Sequence, residues 1–132
     1  MTHIEFIAKY NGKKVDYDQA FGPQCVDVFR QYCADVIGCP HTGTVEGAQD
    51  LWFKFSENDE HKYFNRFNAA YALPGDVLIE GETAANRYGH VSIVVAVDSD
   101  KALVMQQDGF VKDGCKLGIR DLKNALGVLR RK

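Results

Sequence analysis

Apolar positions follow two regimes along the chain: steps of three and four in the first half, runs and alternations in the second. At the start, "THIEF" places Glu5 three residues after Thr2, the pattern of a capping box with Thr2 as N-cap. Ile4, Ile7 and Tyr10 then share one helical face, and "NGKK" ends it. From Cys25, the apolar residues Val26, Phe29, Cys33, Val36 and Ile37 recur at helical steps until Gly38 and Pro40 stop the run. A further helix is expected over 45–55, with Leu51, Trp52 and Phe55 inward, and "SENDEHK" reads as a polar loop.

The second half reads as strands. "LPGDVLIEGE" is a turn running into a strand over 77–80, and "GHVSIVVAVD" is a buried strand rich in Val and Ile. "DSDK" turns the chain, "ALVMQQDG" forms the next strand and "LGVLRRK" the last. Helices followed by sequential strands predict an α+β domain, with N-terminal helices packed on an antiparallel sheet. No repeat, low-complexity tract or linker divides residues 1–132, so one domain is expected.

Composition narrows the function classes. Apolar residues make up 45% and charged residues 26%, so the chain is long and apolar enough to bury a core. A formal net charge of -2 argues against a nucleic-acid binder, and "LRRK" is only a short basic end. No apolar run reaches the roughly 18 residues of a transmembrane helix, and "MTHIEFIAKYNGKK" has no secretory-signal core, so neither membrane insertion nor a signal peptide is expected. The four cysteines, Cys25, Cys33, Cys39 and Cys115, are expected to be reduced. A zinc site of Cys33, Cys39 and His41 has no CxxC pair to support it, and Cys33 falls on the apolar helical face.

Three polar features carry candidate chemistry. Cys25 stands at a helix start, after a Gly-Pro-Gln turn, where the helix dipole favours a thiolate nucleophile. His90 opens a buried strand after a glycine, at a sheet edge where a helix start can meet it. Gln106 and Asp108 are two apart on the following strand, on one face, within reach of that histidine if the two strands pair. Taken singly, Cys25 and His90 are more often structural than catalytic, and the Gln106–Asp108 pair is evenly balanced.

Together, "PQCVDVFRQY", "LPGDVLI", "YGHVSIV" and "MQQDG" resemble the CHAP family, the cysteine- and histidine-dependent amidohydrolases/peptidases with a papain-like arrangement. The resemblance spans about 15–129 and points most closely to catalytic domains of phage lysins that digest Gram-positive cell walls. It implies Cys25 as nucleophile on a peptidoglycan amide and His90 as general base and acid. A familiar lysin pattern has Glu and Asn two apart on the strand after the histidine; this chain has Gln106 and Asp108. Asp108 is favoured as the orienting residue, because a carboxylate also stabilises the imidazolium, with Gln106 as the alternative. The Cys25 backbone N–H, helped by Gln24, would form the oxyanion hole.

The segment "VDYDQAFGPQCVD" surrounds the cysteine with carboxylates. Counted from Asp16, the residues Asp16, Asp18, Ala20, Gly22 and Asp27 fall at the ligand spacing of an EF-hand loop. Phe21 replaces its glycine and Asp27 its final Glu, and Ala20 and Gly22 offer only backbone carbonyls. The plain alternative is a solvated acidic turn with Asp27 in the first turn of a helix. The resemblance implies calcium here, since some CHAP lysins hold it at matching positions; one ion is expected.

The expected function is therefore a monomeric peptidoglycan hydrolase, an N-acetylmuramoyl-L-alanine amidase or an endopeptidase, held in a host cytoplasm until released to the wall or excised from a larger wall-acting chain. The alternative is a non-catalytic, calcium-stabilised wall-binding or structural module of the same fold. A small calcium sensor fits poorly, because there is one loop and no paired second one.

Overall fold

The computed structural model describes residues 1–17, 19, 24–40, 45–108, 110 and 113–132. Helix α1 (His3–Tyr10) begins as the sequence predicts: Thr2 Oγ1 accepts the Glu5 N–H at 3.1 Å and Glu5 returns a bond to the Thr2 N–H. Its inward face differs from expectation. Phe6 is fully buried between Tyr10, tilted against it, and Tyr32, edge-on to it, with ring centroids 4.7 and 5.1 Å away, while Ile4 is 68% exposed. Phe6 and Tyr10 lie four residues apart on one face, and their rings out-compete the smaller isoleucine for the core.

Helix α2 (Cys25–Tyr32) runs on through a π-helical turn over Cys33–Ile37, closed at Gly38 by a bond from its N–H to the Cys33 carbonyl at 2.8 Å. The helix expected over 45–55 shrinks to a single turn, α3 (Asp50–Phe53), followed by 3-10 turns. The cause lies in the preceding residues. The Gln49 N–H bonds the Tyr88 carbonyl at 3.1 Å, and Gly47 presses against that same carbonyl, where an added Cβ would sit 2.7 Å from the oxygen. This segment pairs with another loop instead of winding into a helix.

Six strands follow: β1 (Phe64–Phe67), β2 (Val77–Glu80), β3 (His90–Asp98), β4 (Lys101–Gln107), β5 (Cys115–Asp121) and β6 (Ala125–Arg131). They form one antiparallel sheet in the order β1-β6-β2-β3-β4-β5. The α+β expectation holds. The sequence reading did not include β1 and β5, the two edge strands, whose polar interruptions and outward Leu117 and Ile119 hide the alternation.

The central strands are buried on both faces, which is why β2 reads as an unbroken "VLI". Val77, Ile79, Val91, Ile93, Met105 and Leu129 meet Phe6, Val28, Phe29 and Tyr32 on the helical side. Leu78, Val94, Val104 and Val128 pack beneath Ala69, Ala72 and Leu122 on the other. Among the described residues no helix is long and apolar enough to cross a membrane.

A carboxylate joins these layers. Asp76, from the "PGD" turn, is 2% exposed and receives Arg130 Nε and Nη2 at 2.9 and 2.8 Å and the Leu73 N–H at 2.9 Å. The preceding Gly75 carbonyl accepts the Tyr32 hydroxyl of α2 at 2.7 Å. The Asp76 carbonyl accepts the Val94 N–H of β3 at 2.9 Å. Asp76→Ala strands the Arg130 charge and opens the turn, so we expect a loss of about 3 kcal/mol of folding free energy, measured by urea denaturation.

Candidate active site

The start of α2 meets the start of β3 at a cleft of about 500 Å³, lined by Gln24, Cys25, Tyr88, His90, Asp108 and Phe110 among others. Cys25 is the first residue of its helix and half-buried at the cleft wall. Val91, the residue after His90, turns its backbone N–H toward the Cys25 sulfur. Burial pushes the Cys25 thiol up; the N–H groups of Val91, Val26 and Cys25 itself pull it back, and the Asp27 charge adds to the rise.

His90 is placed by the glycine before it. Gly89 adopts φ +79°, and a Cβ there would collide with the Glu80 carbonyl oxygen. His90 Nε2 lies 2.8 Å from Gln106 Oε1. An amide oxygen only accepts, so Nε2 carries the proton and Nδ1 keeps its lone pair, the tautomer that can take a proton. Burial lowers the His90 pKa below 6.5 and the Gln106 bond opposes that fall; the Arg120 charge lowers it further, and Glu80 and Asp108 raise it. A raised thiol beside a lowered imidazole describes a neutral pair.

Of the two candidates behind the histidine, Gln106 makes the hydrogen bond. Asp108, favoured from the sequence, lies one residue past the end of β4; its Oδ1 accepts the Phe110 N–H at 2.7 Å, and it acts on His90 through its charge. Gln24 is the N-cap of α2 with extended backbone, its N–H held by Asp27 Oδ2 at 2.9 Å and its carbonyl by Gln107 Nε2 at 2.9 Å.

Of the five acidic-loop candidates, Asp16 and Asp27 are described, whereas Asp18, Ala20 and Gly22 lie outside the described residues. Asp16 Oδ1 is buried with no hydrogen-bond partner among the described residues, and Asp27 is buried in the first turn of α2, its Oδ2 accepting the Gln24 N–H. Among the described residues no group of three or more His, Cys, Asp or Glu side chains is placed to hold a metal. Cys33 and Cys39 are buried, and the Cys39 thiol donates to the Pro40 carbonyl at 3.5 Å; His41 lies outside the described residues. All four cysteines are free.

Three features escaped the sequence reading. Glu80, opposite His90 on β2, takes a two-pronged bond from Arg120 at 2.8 and 2.9 Å, so a balanced ion pair flanks the imidazole. Gly118 on β5 leaves the space that Gln106 fills: an added Cβ would overlap Gln106 Nε2. Gln107 is fully buried on the opposite face of β4 from Gln106. The one available signal was Gln107 itself, a polar residue at a core position of an apolar strand.

Comparison with known proteins follows this geometry. A family model described as "CHAP domain" matches residues 3–108. The "D-alanyl-L-alanine endopeptidase" of Streptococcus phage B30 is 33% identical over 105 residues, covering 75% of this chain and 22% of the relative, so the chain spans about a fifth of that protein's length. Among solved structures, the wild-type endolysin LysIME-EF1 superposes with a TM-score of 0.69 at 19% identity, over 98% of this chain and 64% of that one. Ly7917, in a structure with "the hydrolyzing product of MDP", gives a TM-score of 0.66 at 16% identity, over 98% and 61%. These two likenesses establish the fold.

The hydrogen bond behind His90 sets its titration. We expect His90 to titrate below 6.5, read from its ring-proton NMR shift. Gly118→Ala, which displaces Gln106, should lower the midpoint further, because the bond that favours the charged ring is lost. Gln106→Glu should raise it by about one pH unit or more. A midpoint unmoved by both substitutions would contradict the Gln106 contact.

Proposed function

The chain belongs to the CHAP family, and from that premise we propose that it is a peptidoglycan hydrolase that cleaves amide bonds with Cys25 as nucleophile. The observation that carries this reading is the convergence in one cleft of a helix-start thiol and a histidine whose Nε2 is engaged by Gln106, leaving Nδ1 free to act as base.

The residues define a balanced sequence. His90 Nδ1 takes the thiol proton as the Cys25 sulfur attacks the amide carbonyl carbon. The oxyanion is met by the Cys25 backbone N–H and the Gln24 side chain at the cleft wall. As the C–N bond breaks, His90 returns the proton to the departing amine and a thioester remains. Water, deprotonated by His90, then releases the new carboxylate and restores the thiol. Gln106 orients the ring throughout, with Asp108 adding negative potential. The same steps serve an amidase or an endopeptidase; the name of the phage B30 relative favours the endopeptidase. The protein would act on the wall as a monomer after release from the host cytoplasm.

A calcium ion would suit the donor types of the loop before the nucleophile. Asp16, Asp18 and Asp27 would supply carboxylates and Ala20 and Gly22 carbonyl oxygens, and Asp16 Oδ1, buried without a partner among the described residues, has the chemistry of such a ligand. Bound there, the ion would offset the acidic charge that opposes thiolate formation.

Cys25→Ala should leave the melting temperature nearly unchanged and cut the lysis of Gram-positive walls at least about 10³-fold. Mass spectrometry of the digest should show new amino and carboxyl termini, whose identity separates amidase from endopeptidase. Wall binding without any new termini would instead support the non-catalytic module. Chelation should lower both melting temperature and lysis, and added calcium should restore them; an identical melting curve with and without chelator would count against the metal.

A further inference from the structure

Gln107 ends β4 with its side-chain amide fully buried on the helical side of the sheet. Its Oε1 accepts the Val15 N–H at 2.8 Å and the Cys115 thiol at 3.8 Å. Its Nε2 donates to the Val15 carbonyl at 2.7 Å and to the Gln24 carbonyl at 2.9 Å. Both donors and the acceptor oxygen are engaged, as a buried amide requires. Toward Val15 the side chain imitates a strand partner, exchanging both backbone bonds. Toward Gln24 it grips the last carbonyl before the nucleophile. One side chain thus closes the neck of the acidic loop, from its first residue to the helix cap.

The Gln24 carbonyl and the Cys25 N–H belong to one planar peptide unit and point in opposite directions across it. That carbonyl also accepts the Asp27 N–H of α2 at 3.1 Å, and the Gln107 bond adds to this hold, keeping the Cys25 N–H turned outward, toward its own sulfur, which that N–H stabilises. The Asp27 bond to the Gln24 N–H fixes the preceding peptide in the same way. A hydrogen bond on the carbonyl also polarises the unit and strengthens the N–H as a donor.

We propose that Gln107 is a positioning residue for the oxyanion hole: by anchoring the Gln24 carbonyl it aims the Cys25 N–H at the oxygen of the tetrahedral intermediate. The inference rests on the reading of Cys25 as an amide-cleaving nucleophile. Gln106 and Gln107 then divide the work of β4. One amide sets the base from one face, and the other sets the oxyanion donor from the opposite face.

The test compares two reactions of the same sulfur. Amide hydrolysis passes through an oxyanion; alkylation of Cys25 by iodoacetamide does not. Gln107→Met, close in shape but without these hydrogen bonds, should lower kcat on soluble wall fragments about 10- to 100-fold with KM within about twofold. The alkylation rate should fall by a much smaller factor than kcat, since alkylation forms no oxyanion and loses only the Cys25 N–H contribution to the thiolate. Gln107→Glu, which retains the acceptor but at most one donor, should fall between them. An unchanged kcat in Gln107→Met overturns the proposal, as does a parallel loss of kcat, alkylation rate and melting temperature, which would mark a purely structural role. Should both variants fail to fold, the wild type decides by NMR: slowly exchanging Gln107 amide protons with contacts to Val15 and Gln24 support the proposal, and rapid exchange overturns it. A wild-type protein that releases no new termini from walls would overturn the hydrolase reading, whereas an active wild type with an indifferent Gln107 overturns the positioning role alone.

Discussion

The buried carboxylate of Asp76 is the joint on which the arrangement hangs. Arg130 of β6 neutralises it, the Leu73 N–H closes its turn, and the adjoining backbone takes bonds from Tyr32 of α2 and Val94 of β3. Strands remote in sequence and the helix bearing Cys25 are thereby held to one short turn. A helix packed only by apolar contact can slide along a sheet at modest cost; a buried charge and a directed hydroxyl bond resist such sliding. The far end of α2 is pinned here, and its start is left facing the first residue of β3.

At that meeting point the chemistry is arranged for neutrality. Burial raises the thiol and lowers the imidazole, so neither carries charge by default. An amide at Gln106 suits this setting, because it orients the ring without adding a formal charge. The nearby charges largely compensate: Glu80 and Arg120 pair, and their effects on His90 oppose one another. In the proposed hydrolysis, charge would separate only during attack, when helix-start N–H groups would receive it.

Much of this was legible in the sequence, for definite reasons. The Thr2–Glu5 cap, the start of α2 at Cys25 and the place of His90 at the head of β3 depend on neighbours within a few residues, which local pattern records. What escaped depends on distant partners. Phe6 wins the inward face of α1 through rings supplied partly by Tyr32. The shortening of α3 comes from the Tyr88 carbonyl, and the choice of Gln106 over Asp108 from where β4 ends. Gly118 is intelligible only beside the amide that lies over it. Glu80 and Arg120 are separated by 40 positions and meet only through the sheet.

The adjacent glutamines of β4 carry a consequence for how this strand can change. Their opposite orientations come from the pleat alone, since successive residues of a strand face opposite ways. Inserting or deleting one residue upstream in β4 would exchange their faces, taking the amide from the histidine and from the helix cap together. Exposed positions of this strand can change while both contacts persist, but its length cannot. Lineages and engineered variants of this domain should accept changes at exposed Lys101 far more readily than a single-codon indel between it and Gln107.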